Sequence, residues 1–170
     1  MLESVAIIKK PRSKLVSRSV WPLPHHYDLS PTVLGRGTDS ERLAVDIGYD
    51  GMNPRRNPFV PVFAAQDGTI AHVDQTGRGH AITLDHGHWF THYSDIEHAF
   101  VMKRARATGR RERVRAGDIL GYVRWPAHLR FELWHFNDDG ELVPVDPEPH
   151  LDQWITLPDL EQPFTDTKAA

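Results

Sequence analysis

Two short segments of the chain combine residue types and spacings that bear on metal chemistry. One is HLRFE at residues 128–132, and the other is RLAVD at residues 42–46. Alternate residues of a β-strand share a face, so His128 and Arg130 would lie side by side. Histidine and aspartate side chains bind metals, but a guanidinium stays protonated and has no lone pair to offer. The arginines of these two segments therefore cannot serve as metal ligands.

Further segments, taken in order along the chain, resemble the motifs of one protein family. Residues 91–96 resemble a Thr-x-Tyr-x-His-Leu segment, and residues 114–121 resemble a Val-x-x-Gly-Asp-x-Ile-Gly turn. The other similar blocks are FVPVFAAQDGTI at 59–70, AITLDHG at 81–87 and VDP at 145–147. Together these blocks resemble the lysostaphin-type (LytM-like) zinc endopeptidases, which cut peptide cross-links in peptidoglycan. The resemblance covers residues 43–151, and its specificity comes from the shared order and spacing of the blocks.

The resemblance implies a fold and a set of site positions. The fold is all-β, with a LytM-like antiparallel β-sheet core of the duplicated hybrid motif type. The family's three zinc ligands would fall on Arg42, Asp46 and Arg130, and its two catalytic histidines on Asp95 and His128. Only Asp46 can bind a metal, and only His128 retains the catalytic residue. A catalytic zinc site needs three protein ligands and an open position for water, so we expect no metal and no other cofactor.

We also expect a particular contact at the positions where the family's ligands and catalytic histidines would fall. A buried carboxylate must be paired, and arginine is a good bidentate partner, so we expect Arg42 and Arg130 to form a salt-bridged cluster with Asp46. The alternative is that Arg42 is simply exposed before a strand. We expect His128 to be a relic that hydrogen-bonds a neighbour, because a general base needs an activated water and an electrophile. The alternative is a retained general base.

A binding groove is expected beside these positions. Tyr93 and Asp95 have the same parity in an extended segment, so we expect both on one groove wall. Trp89 and Trp125 are expected to form further walls, and Glu132 is expected to be a groove carboxylate.

The remaining pattern along the chain indicates antiparallel strands. Short runs rich in β-branched and aromatic residues alternate with turns that contain Gly, Pro, Asp and Asn. We predict an extended N-terminal arm at residues 1–20, a β domain at 21–151 and a Pro-punctuated C-terminal tail at 152–170. The apolar residues of the tail either pack back on the domain or dock a partner.

Composition sets broad limits on the protein. At 170 residues, with 39% hydrophobic and 25% charged residues, the chain suits one globular domain. Cysteine is absent, which excludes disulfides and thiol chemistry. We see no export signal and no segment long enough to span a bilayer. The expected location is therefore the cytoplasm, or a virion or secretion machine.

The frequent histidine and arginine residues suggest two other kinds of site: a metal site formed by histidines and a nucleic-acid site formed by arginines. Of the 11 histidines, His86, His88 and His92 share parity, but Gly87 is expected to form a hairpin turn that spoils a regular metal-binding face. The basic run at 103–113 has no interleaved aromatic residues, so we favour a solvated loop over a nucleic-acid site.

These observations favour a catalytically inactive, peptidase-like domain that acts in protein interaction or assembly, within a cell-wall or virion machine. Two alternatives stay open. One is a zinc metalloendopeptidase that acts on peptidoglycan cross-links through a non-standard metal site. The other is a non-hydrolytic peptidoglycan-binding module.

Overall fold

The structure is a computed structural model that describes residues 19–25, 29–37, 43–51, 58–100, 112–124, 126 and 128–158. These residues form strands and one short helix, α1, at Glu148–Leu151. The strands are β1 (Thr32–Arg36), β2 (Val45–Gly48), β3 (Phe59–Phe63), β4 (Gly68–Thr76), β5 (Gly79–Asp85), β6 (Trp89–Ile96), β7 (His98–Ala99), β8 (Arg113–Val114), β9 (Ile119–Arg124), β10 (Leu129–Phe136) and β11 (Leu142–Val145). The predicted all-β class is confirmed.

The strands form two antiparallel sheets. The larger sheet has the order β1-β2-β10-β6-β5-β4-β8, and β11 pairs with the far end of β10. The smaller sheet has the order β3-β9-β7. Strand β10 is an interior strand of the larger sheet, where β2 pairs with its first residues and β6 pairs along most of its length.

Alternation along β10 separates the core from the opposite face of the sheet. Leu129, Phe131 and Leu133 are fully buried in the hydrophobic core. Arg130 and Trp134 have the opposite parity and point away from the core, because successive side chains of a strand lie on opposite faces. This alternation places Arg130 on the face that carries the candidate site.

The two ends of the described chain lie together on the domain. Val20 and Ile155 form a parallel bridge, and Trp154 packs against Phe131 and Trp89 at ring-centroid distances of 5.9 and 6.0 Å. The first residues of the predicted tail therefore pack on the domain. Residues 1–18 of the predicted arm and 159–170 of the tail lie outside the described residues. A membrane-crossing helix is not found within the described ranges.

A chain of hydrogen bonds links the turn after β5 to the core. The His86 Nδ1 atom lies 2.7 Å from the Asp67 carbonyl oxygen, and its Nε2 atom lies 2.8 Å from Thr91 Oγ1. The Thr91 and Tyr93 hydroxyl groups are 3.1 Å apart, and the Ala65 amide donates to the Tyr93 oxygen at 2.8 Å. The Asp67 carbonyl oxygen can only accept, so His86 donates to it from Nδ1, and the Thr91 hydroxyl donates to the Tyr93 oxygen.

We therefore predict that the stability of the fold depends on the neutral form of His86. Burial lowers the pKa of His86 from its ordinary value of 6.5, against the hydrogen bond to Asp67 and the charges of Asp85 and Asp67, which raise it. Just below pH 6.5 the unfolded chain binds more protons at this residue than the folded chain does. The free energy of unfolding should accordingly fall as the pH is lowered through that window.

The measurement is denaturant unfolding between pH 8 and pH 5 for the wild-type protein and for His86→Gln, which cannot titrate. All other groups are common to the two proteins, so the difference between the two curves isolates His86. We expect the wild-type protein to lose more stability than the variant over this range. Parallel curves would contradict the prediction.

Candidate functional site

The centre of the candidate site is an ion pair between neighbouring strands. Asp46 on β2 and Arg130 on β10 lie directly opposite each other in the sheet register. Arg130 Nε donates to Asp46 Oδ1 at 3.0 Å, and Arg130 Nη2 donates to Asp46 Oδ2 at 3.4 Å. The predicted pairing of Arg130 with Asp46 is confirmed. Arg42, the other predicted member of the cluster, lies outside the described residues.

The electrostatics around this pair favour the charged form of the arginine. The hydrogen bond from Arg130 to Asp46 raises the pKa of the guanidinium, and the nearby charges of Asp46, Asp95 and Glu132 add to that effect. The Arg130 side chain is 36% exposed and the Asp46 side chain is 24% exposed. The pair is thus half-buried at a cavity wall, where ligands can reach it.

The cavity beside this pair holds about 440 Å³ and is lined almost entirely by ionisable side chains. They are Asp46, Arg78, Asp95, Glu97, Arg124, His128 and Arg130. We call this cavity the groove. A second ion pair lies on its wall, because Arg124 Nε and Nη2 donate to the two carboxylate oxygens of Glu97 at 2.9 Å each. That contact lowers the pKa of Glu97.

A β-bulge turns Asp95 into the groove. The pairing register of β5 with β6 shifts between His80 and Ile82 of β5. At this point two residues of β6 face one residue of β5. Asp95 has a φ of +65°, a left-handed conformation that aspartate adopts more readily than most residues do. The expectation that Asp95 and Tyr93 share a groove wall is wrong, because the extra residue reverses the parity of the strand.

Two of the other predicted binding residues, Tyr93 and Trp89, lie away from the groove. Tyr93 is fully buried in the core, where its hydroxyl accepts the Ala65 amide, so it has no surface for a ligand. Trp89 lies at the opposite end of β6 from Asp95 and packs against Trp154. Trp125 lies outside the described residues.

Two predicted residues flank the ion pair on β10. His128 is exposed just before the strand and lines the groove, and the hydrogen bond to a neighbour that we expected for it is not found among the described residues. Glu132 is only 4% exposed, and Trp134 Nε1 donates to its Oε2 atom at 2.9 Å. Glu132 thus acts on the groove through its charge rather than through direct contact.

Sequence reasoning missed three groove residues: Arg78, Glu97 and Arg124. They come from the β4–β5 turn, from the link between β6 and β7, and from the end of β9. No local spacing joins these positions in the sequence. Only the pairing of β9 in the smaller sheet and of β4 with β5 in the larger one brings them to the same cavity.

The side chains of the groove do not suit a zinc ion. Within the described ranges, no three His, Asp or Glu residues are grouped so that they could hold a metal. Asp46 already accepts hydrogen bonds from a permanent cation at the place where a metal would have to bind it. The histidines with shared parity do not converge either, since His86 bonds Thr91 and His92 Nδ1 bonds Thr83 Oγ1 at 2.8 Å. Gly87 forms the turn predicted between His86 and His88, with a φ of +97°.

Comparison with known proteins bears on the fold. No protein-family model matches the sequence, and no curated protein matches it significantly. Among solved structures, a protein proposed to be a glycyl-glycine endopeptidase lytM from Ruminococcus gnavus matches with a TM-score of 0.57 and 17% identity over 84% of this chain and 64% of that chain. Lysostaphin, solved by NMR, matches with a TM-score of 0.49 and 18% identity over 84% of this chain and 61% of its own length.

The chain therefore spans less than two thirds of the length of either protein. At this level of identity, the similarity to the Ruminococcus gnavus structure establishes the fold alone. The resemblance seen in the sequence is confirmed at that level: the chain has the fold of a LytM-type, peptidase-like domain.

Proposed function

We propose that this chain is a non-hydrolytic, peptidase-like domain that binds a protein partner through the groove, as an interaction or assembly component of a cell-wall or virion machine. The observation that carries the proposal is the ion pair between Arg130 and Asp46. It puts a fixed guanidinium beside the one carboxylate that the family pattern retains as a metal ligand.

The ion pair opposes metal-dependent hydrolysis in two ways. A zinc ion at Asp46 would have to displace Arg130 or lie beside its positive charge, and both cost free energy. Asp95 and His128, the vestigial catalytic positions, would still need a metal-activated water to act upon. The groove lacks the donor atoms that would hold such a metal among the described residues.

The same groove remains suited to binding. It is an open cavity of about 440 Å³, and its walls carry opposite charges at fixed positions. Charged groups arranged in this way give specificity and guide association with a partner of complementary charge. The cavity is present, and its walls carry arginine where the family has metal ligands. This combination supports a role in binding a partner rather than in catalysis.

The two alternative functions have less support. A peptidase with a non-standard metal site needs Asp46, His128 and further histidines to converge, but no such group is found among the described residues, and His86 and His92 bond Thr91 and Thr83 instead. A peptidoglycan-binding module with tryptophan walls loses Trp89, which lies at the far end of β6.

Zinc content provides the test. We predict that the tag-free protein, after dialysis, contains far less than one zinc per chain by atomic absorption and does not cleave peptidoglycan peptides. The matched positive control is Arg42→His combined with Arg130→His, which supplies the ligand types of a catalytic zinc site around Asp46. That variant should bind zinc in a calorimetric titration, whereas the wild-type protein should not.

Stoichiometric zinc in the wild-type protein that survives dialysis and is lost in Asp46→Ala would overturn the proposal. Cleavage that depends on added zinc would overturn it as well.

A further inference from the structure

The groove contains more guanidinium donors than its own carboxylates occupy. Arg130 bonds Asp46 through Nε and Nη2, and Arg124 bonds Glu97 through the same two atoms. The Nη1 groups of both arginines make no hydrogen bond with the described part of the chain. The Arg78 guanidinium makes neither a hydrogen bond nor an ion pair there, although Arg78 lines the same cavity. The groove thus offers unused N–H donors from three separate elements.

The donors of Arg124 and Arg130 are held in place before any ligand arrives. Each carboxylate fixes the plane of the guanidinium that it contacts, so less side-chain entropy is lost when a ligand binds to the free edge. The planar donor array of arginine matches the two oxygens of a carboxylate. Arg124, Arg130 and Arg78 therefore form a receptor for an anionic group of carboxylate shape.

Asp95 determines which anion fits. It lines the same cavity, makes no hydrogen bond with a described residue, and lies near enough to Arg130 for its charge to act on that guanidinium. A simple anion in the groove would be repelled by this carboxylate. A ligand that also carries an ammonium group would instead gain an ion pair with Asp95.

We infer that the groove binds the end of a peptide chain that carries both charges, with its carboxylate on the arginine donors and an ammonium group on Asp95. This inference rests on the proposed function, because a metal bound at Asp46 would rearrange Arg130. The ammonium group has two possible sources: the amino terminus of a short free peptide, or a lysine at the carboxyl terminus of a longer chain.

Defined peptides test the ligand class. Trialanine represents the short free peptide, and acetyl-alanyl-lysine represents a longer chain that ends in lysine. Acetyl-trialanine keeps only the carboxylate, and trialanine amide keeps only the ammonium group. By calorimetry or NMR titration, at least one of the two doubly charged probes should bind roughly 10-fold to 100-fold more tightly than both singly charged ones, the loss expected for a charge-assisted contact.

Three substitutions connect binding to the groove. Asp95→Asn keeps a residue that tolerates the positive φ, and it should weaken the doubly charged probe while strengthening acetyl-trialanine. Arg78→Gln should weaken both of these probes. Arg115→Gln removes an arginine charge outside the groove and serves as the matched control, with no expected change. Opposite effects of Asp95→Asn on two ligands cannot arise from a general loss of structure.

Equal affinity for singly and doubly charged probes, or no binding of either doubly charged probe, would overturn the inference. The same samples are assayed for zinc and for peptide cleavage. Failure of peptide binding in a zinc-free, inactive protein would reject this ligand class alone, whereas zinc-dependent cleavage of trialanine would reject the proposed function.

Discussion

The cross-strand contact between Arg130 and Asp46 is the interaction on which the groove depends. It forms because β10 pairs with β2 on one side and with β6 on the other, which holds Arg130 between Asp46 and Ser94. Alternation along β10 keeps the apolar neighbours of Arg130 in the core. The sheet thus fixes a positive charge where metal-ligand chemistry would require a neutral donor, and the remaining groove residues are arranged around that charge.

The bulge in β6 places the negative charge of Asp95 in the groove. Without the extra residue, Asp95 would share the face of Tyr93 and would bury a carboxylate in the core at a large cost. With it, the carboxylate reaches the cavity at the cost of a left-handed backbone conformation, which is of the order of 1 kcal/mol. Asp95 thereby lies close to three arginines and makes no hydrogen bond with a described residue. This mixture of charges favours recognition of a ligand that carries both signs.

The sequence was sufficient to predict the fold class and the central ion pair, but not the whole groove. Short apolar runs between turn residues indicated antiparallel strands, and the ordered motif blocks placed Arg130 next to Asp46. The parity argument failed at Asp95, because a single inserted residue reverses every later side chain of a strand. The same argument placed Tyr93 on a groove wall. Tyr93 is instead buried in the core, where its hydroxyl forms hydrogen bonds with Thr91 and Ala65. Arg78 and Arg124 could not be foreseen, since only long-range pairing brings them to the groove.

A double-mutant cycle on Asp46 and Arg130 tests the central claim most directly. It compares the free energies of unfolding of the wild-type protein, Asp46→Asn, Arg130→Gln and the double variant, each with a metal chelator present. The ion pair predicts a favourable coupling energy of about 0.2–1 kcal/mol, as expected for a pair that is partly exposed to solvent. A coupling energy of zero, or one that appears only when the chelator is left out, would show that the arginine does not take the place of a metal beside Asp46.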